Sequence, residues 1–182
     1  MMSIWYDLFI LLLMDIMMST SLQGAIMSQS SIKQTRAGEA ATRVILSVFR
    51  LNNLLLTAGD RLVKGLGLTS ARWQVLGAIA YADRPQPVAW LARDMGANRQ
   101  NVQRIINDLN EAGLVRFETN PHHRRAQLVV LTEEGRQAFD AAMRLQTPWV
   151  NDLAHGLAVK DIEAAHRVIS TLRQRLDGKG DG

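Results

Sequence analysis

Apolar residues recur along this chain with two periods, and the points where the period changes outline its elements. Val44, Ile45, Val48, Phe49, Leu51, Leu55 and Leu62 keep helical spacing, which predicts a long helix from about 38 to 64, stopped by Gly65 and Gly67. Thr69 is a good N-cap for a second helix that turns Trp73, Leu76, Ile79 and Ala80 inward. Pro85 and Pro87 forbid continuation, so 83–87 reads as a turn. Val88, Leu91, Ala92 and Met95 then mark a short third helix. Gly96 breaks it, Asn98 caps the next, and Val102, Ile105, Ile106 and Leu109 give that fourth helix one buried face as far as Ala112.

Gly113 ends the fourth helix, and the pattern shortens. Residues 114–119 and 126–131 predict the two strands of a hairpin around 120–125. Thr132-Glu133-Glu134 caps a fifth helix running to about His155, with a kink or break expected at Pro148. A last helix spans about 159–176, and the glycine-rich tail 178–182 is expected to be disordered. The fold class that follows is mainly α (α+β): a winged helix-turn-helix over about 68–132 with a two-stranded wing. Long dimerisation helices flank it, at about 38–64 and 133–177, so the folded domain is 38–177.

Residues 1–37 stand apart as an N-terminal extension. Its apolar run, Leu8 to Met14, is bounded by Asp7 and Asp15, and no Lys or Arg precedes Lys33. That is too short to span a bilayer and lacks the positive start of a secretory signal. We expect residues 1–26 to be either an over-extended start preceding Met27 or an apolar arm packed on the body. An interfacial or partner-binding helix is the competing reading. A cytoplasmic protein with no membrane partner is therefore expected.

Composition changes the picture less than distribution does. The 182 residues hold 21 Lys+Arg against 17 Asp+Glu, a net charge of +4, which alone would not indicate nucleic acid. Cysteine is absent, excluding disulfides, thiolate metal sites and cysteine redox switching. The fourth helix, however, is left with Asn98, Arg99, Gln100, Asn101, Gln103, Arg104 and Asn107 once its apolar stripe is buried, and acids appear only at Asp108 and Glu111. Arginine pairs with guanine edges and Asn or Gln with adenine, so this face suits the major groove of double-stranded DNA. The helix N-terminus also offers backbone N–H groups to a phosphate. Arg124 and Arg125 at the hairpin turn suit the adjacent minor groove. His122 and His123 lack the further ligands of a metal shell and fit contacts to the sugar-phosphate backbone.

No catalytic triad, phosphate loop, metal spacing or cofactor motif is visible, so an enzyme is not expected. Val150, Leu153, Leu157, Ile162, Val168, Ile169 and Leu172 would leave a monomer with a large apolar patch, which predicts a homodimer. Phe49 and Trp73 are candidates to line an effector pocket between the first two helices, with Arg72 placed for an anionic ligand. The alternative reading is a winged-helix protein-interaction module without sequence-specific DNA binding.

Several segments, in this order, resemble the MarR family of bacterial transcriptional regulators. They are Leu68 to Leu76, Leu91-Ala92 with Gly96, Arg99-Gln100 with Val102, Ile105 and Leu109, Gly113-Leu114-Val115, and Arg124-Arg125 followed by Leu131 to Gly135. The resemblance covers about Glu39 to Arg175. It implies a homodimer bound to a pseudo-palindromic operator, with repression relieved by a small, often aromatic or phenolic ligand. The family wing usually reads Asp-Pro-x-Asp-Arg-Arg, whereas Asn120 and His123 replace the acids here. The resemblance therefore does not carry over the ion pairs of those acids, and a looser or more positive wing is expected. Asn98 replaces the usual Ser or Thr but keeps the capping function.

Overall fold

The ends of the helices, more than their middles, set the path of this chain. A computed structural model describes residues 34–178 apart from 122 and 124. The expectations for the first 33 residues, the tail from 179, His122 and Arg124 lie outside the described residues. The chain separates into two compact units, Met1–Val48 and Phe49–Gly182. Helix α1 (Arg36–Val63) belongs to both, and every other element lies in the second. A 3-10 turn, Lys64–Leu66, follows it, and Gly67 at φ 68° reverses the chain into α2 (Ser70–Ala80). Next come β1 (Gln86–Pro87), α3 (Val88–Asp94), α4 (Arg99–Glu111), β2 (Val115–Glu118) and β3 (Leu128–Leu131). Helices α5 (Glu133–Ala154) and α6 (Val159–Asp177) complete the order.

The sheet is antiparallel, in the order β1-β3-β2, and so carries one strand more than the two-stranded wing expected. Val115 pairs with Leu131 and Phe117 with Val129, while Gln86 faces Val129 on the other side of β3. The proline-rich turn supplies this third strand. Pro87 is held extended at φ −68° and ψ 154°, and a missing N–H is tolerable on an edge. At Pro148, where a kink or break is expected, α5 is not broken. The Arg144 carbonyl that loses its partner belongs to an exposed residue, as does Pro148, so water can satisfy it.

The core gathers around α2, whose Val75 and Leu76 are buried against α4, α5 and β3. Leu91 of α3, Val102, Ile106 and Leu109 of α4, Val115, Val129 and Phe139 fill the same cluster. Each fully buried aliphatic or aromatic side chain contributes about 1.5–3 kcal/mol. Trp73, Ile79 and Ala80 pack at its margin, half-buried.

Two close approaches fix how the layers meet. At the first, the Ser70 hydroxyl donates to the Leu56 carbonyl at 2.7 Å and the Ser70 N–H to Asp60 Oδ1 at 2.6 Å. Gly59 leaves the room that contact needs, since a Cβ there would overlap Ser70 Oγ. At the second, Thr132 caps α5 by accepting from the Gly135 N–H at 3.0 Å. Its hydroxyl also donates to the Gly113 carbonyl at 2.7 Å, and its N–H to the Leu114 carbonyl at 3.1 Å. A Cβ on Gly135 would overlap that same Leu114 carbonyl. No helix among the described residues is long and apolar enough to cross a membrane.

Gly135→Ala should therefore cost more than about 2 kcal/mol, because backbone must move. Gly65→Ala, where a Cβ meets nothing within 4 Å, should stay within about 0.5 kcal/mol of the parent. Chemical denaturation of the two variants measures both, and equal stabilities would refute the close-approach account.

Candidate nucleic-acid interface

The turn between α3 and α4 is closed by backbone chemistry. Gly96 adopts φ 61°, its N–H donates to the Arg93 carbonyl at 2.9 Å, and the Ala97 N–H reaches the Ala92 carbonyl at 2.8 Å. That pair of bonds is a Schellman motif, and it satisfies the last carbonyls of α3. Asn98 follows at once and accepts from the Gln100 and Asn101 N–H groups at 2.9 and 3.3 Å. The same closure recurs at the far end of α4. Gly113 sits at φ 72°, and Leu114 donates to the Leu109 carbonyl at 2.9 Å. Helix α4 is thus bounded at both ends and pinned along its middle by Val102, Ile106 and Leu109.

The opposite face of α4 is polar. Asn98, Arg99, Gln100, Asn101, Arg104 and Asn107 are exposed, and Gln103 is half-buried. Gln103 Nε2 donates to Asn107 Oδ1 at 2.9 Å, which aligns two amides along one edge. Asn98 is occupied as the cap, so two of the N–H groups expected for a phosphate are already satisfied. Arg104 extends outward with 71% of its side chain exposed, 3.8 Å from Asp108 Oδ2.

The wing is held at its base by a residue that sequence reading had associated with loosening. Asn120 is buried, at 7% exposure, and its Nδ2 donates to the Ala126 carbonyl at 2.9 Å. The His123 N–H donates to the Asn120 carbonyl and the Ala126 N–H to that of His123, so the turn is bonded through its backbone. A neutral amide thus closes the loop where an acid would otherwise stand. Arg125 and His123 are exposed on this turn. Arg116 lies outside it, bonded to Glu118 at 2.6 Å and to the Leu131 carbonyl at 3.2 Å.

The three proposed effector residues do not come together. Trp73 lines a cavity of about 450 Å³ with Gln74, Tyr81, Met143, Gln146 and Trp149, but neither Phe49 nor Arg72 is part of its wall. Arg72 instead reaches α4, with its Nη2 3.6 Å from Asp108 Oδ2. Adjacent residues on a helix diverge by about 100°, so Arg72 and Trp73 serve different faces. Sequence reasoning missed Trp149, Tyr81 and the contact made by Asp108. It also missed Trp90, an exposed ring with the Arg84 and Arg93 guanidinium carbons 5.7 and 5.8 Å from its centroid.

Residues 66–126 match the family model described as MarR family. An uncharacterized protein of Mycobacterium tuberculosis is 42% identical over 99 residues, which cover 54% of this chain and 68% of that protein. Among solved structures, MosR of M. tuberculosis in complex with DNA has a TM-score of 0.64 at 23% identity, covering 75% of this chain and 97% of MosR. CouR of Rhodococcus jostii RHA1 bound to p-coumaroyl-CoA has a TM-score of 0.64 at 20% identity, covering 77% and 95%. At those identities the two structures show a shared fold.

Asn120→Ala should lower stability by about 1 kcal/mol, the worth of one part-buried hydrogen bond. Its sharper signature is local, a faster amide exchange at His123 and Ala126 with the amides of α4 unchanged. Unaltered exchange across the turn would show that Asn120 does not hold the wing.

Proposed function

The chain belongs to the MarR family, whose members are transcription regulators rather than enzymes, and from that premise we propose a homodimeric, sequence-specific DNA-binding repressor released by a small ligand. The observation that carries this reading is the exposed face of α4. Arg99, Gln100, Asn101 and Arg104 lie on it without an acid in its first two turns, on a helix locked at both ends. Side chains held on a rigid element can select among base edges, which a mobile loop could not do as sharply. The wing brings Arg125, and Arg124 beside it in sequence, to a neighbouring stretch of backbone or minor groove.

Two copies are needed for a pseudo-palindromic operator, and the outer helices supply the surface. Leu51, Leu54 and Leu55 of α1, Val150 and Leu153 of α5, and Ile162, Val168 and Ile169 of α6 are all exposed. Helix α6 has no buried residue at all, although its apolar stripe keeps helical spacing. An uncovered face of this kind is stabilised by pairing with a second copy. A two-fold pair would set the α4 helices one DNA turn apart. The aromatic-walled cavity beside Trp73 and Trp149 is the effector site in this reading. Its volume suits a small ligand, and its amides at Gln74 and Gln146 suit an oxygen-bearing aromatic molecule. Such a ligand releases DNA by favouring a dimer whose α4 spacing misfits the operator.

Selection of bound duplexes from random DNA should return half-sites about 10–11 base pairs apart. On that duplex, Arg104→Ala should weaken binding about 10- to 100-fold and relax preference at one base pair. Arg125→Ala should weaken binding to all sequences alike and flatten the salt dependence. Salt-insensitive binding without sequence enrichment would instead indicate a protein-interaction module. In a promoter fusion the parent protein should lower expression; increased expression would make it an activator.

Leu153→Asp places a charge on the exposed apolar face and should leave the fold intact while halving the mass measured by light scattering. Operator binding should fall with it. A dimer of unchanged stability would move the interface elsewhere.

A further inference from the structure

We propose that Asp108 is a positioning residue for Arg104, and that Arg72 controls it from α2. This rests on the reading that α4 docks in DNA through Arg104. A single oxygen, Asp108 Oδ2, lies 3.6 Å from Arg72 Nη2 and 3.8 Å from Arg104 Nη1. A charge-assisted hydrogen bond closes to about 2.7–2.9 Å, so neither guanidinium owns the carboxylate. The two cations share it.

The sharing is unequal in setting. Arg72 and Asp108 have side chains 33% and 35% exposed, against 71% for Arg104. Attraction is screened less between the two sheltered groups than toward solvent-exposed Arg104. Asp108 sits one turn beyond Arg104 and therefore draws that side chain toward the C-terminal end of α4, away from the capped end at Asn98. While Arg72 engages the carboxylate, Arg104 is free to extend toward a base. When Arg72 withdraws, Asp108 holds Arg104 back and turns an uncompensated negative charge toward the phosphates.

Arg72 is also placed to be moved. It lies in the first turn of α2, and the next two residues, Trp73 and Gln74, line the aromatic-walled cavity. A ligand that shifts this turn alters how Asp108 divides itself between its partners. The ion pair thus gives the cavity a direct route to a DNA-reading side chain, in addition to any change in dimer spacing.

A double-mutant cycle on the selected duplex, with full-length protein, tests this. Arg72→Gln should weaken binding about three- to ten-fold although Arg72 touches no base. Asp108→Asn should tighten binding to the selected duplex and to a random duplex alike. In the Asp108→Asn background, Arg72→Gln should then have no further effect. Arg72→Lys should restore most of the affinity, separating charge from packing, and thermal melting confirms that each variant is folded. An Arg72→Gln loss that persists in the Asp108→Asn background would overturn the proposal by making Arg72 a direct contact or a packing residue. Arg104→Ala run alongside distinguishes the other failure: if it leaves binding unchanged, the docking of α4 is wrong, and this inference falls with it.

Discussion

Three chain segments converge on the carbonyls of Gly113 and Leu114, and the geometry of the domain depends on that junction. The end of α4 turns there through a left-handed glycine, β2 departs from it, and β3 returns to hand the chain to α5 at Thr132. Thr132 bonds to both carbonyls and also caps α5, while Gly135 lets the helix pass against Leu114 without a side chain between them. Each bond is worth about 1 kcal/mol, but the constraint is geometric before it is energetic. It sets the reading helix, the wing and the long outer helix at fixed angles to one another.

That junction lies at the opposite end of α4 from Asn98, yet it governs how the polar face of the helix is held. Helix α4 is closed at its far end by Gly113 and at its near end by Asn98, and its apolar stripe seats it on α2 and α3. The wing leaves the same junction, and Asn120 closes the base of its turn. Arg104 and the wing's Arg125 are consequently carried on one frame. A shift of α2 is felt by α4 through packing and also through Arg72, which reaches across to Asp108.

Much of this frame could be read from the chain because it is made of local chemistry. Glycines at 67, 96 and 113 occupy the left-handed positions their spacing announced, and Thr69, Asn98 and Thr132 accept the N–H bonds expected of caps. Periodicity likewise identified which side of α4 is polar. What escaped was tertiary. A Gln-Pro pair reads as a turn, and only the presence of β3 alongside makes it a strand. Pro148 reads as a break, and only its outward placement makes it harmless. Arg72 and Trp73 looked like one pocket by proximity in sequence, but the helix sends them to different neighbours.

Asn120 shows how a neutral residue can change the electrostatics of a wing without undoing its shape. An ionised acid at that position could neutralise a neighbouring arginine but, having no donor, could not bond to the Ala126 carbonyl. The amide makes that bond and brings no charge to the turn. No Asp or Glu lies between Thr119 and Gln127 in the sequence, which holds two arginines there. Stronger, sequence-independent attraction to phosphate follows from such a turn. The first acid along α4 is Asp108, in its last turn, with Oδ2 3.8 Å from Arg104 Nη1. On the function proposed above, discrimination among sequences falls more heavily on α4, and the wing contributes adhesion.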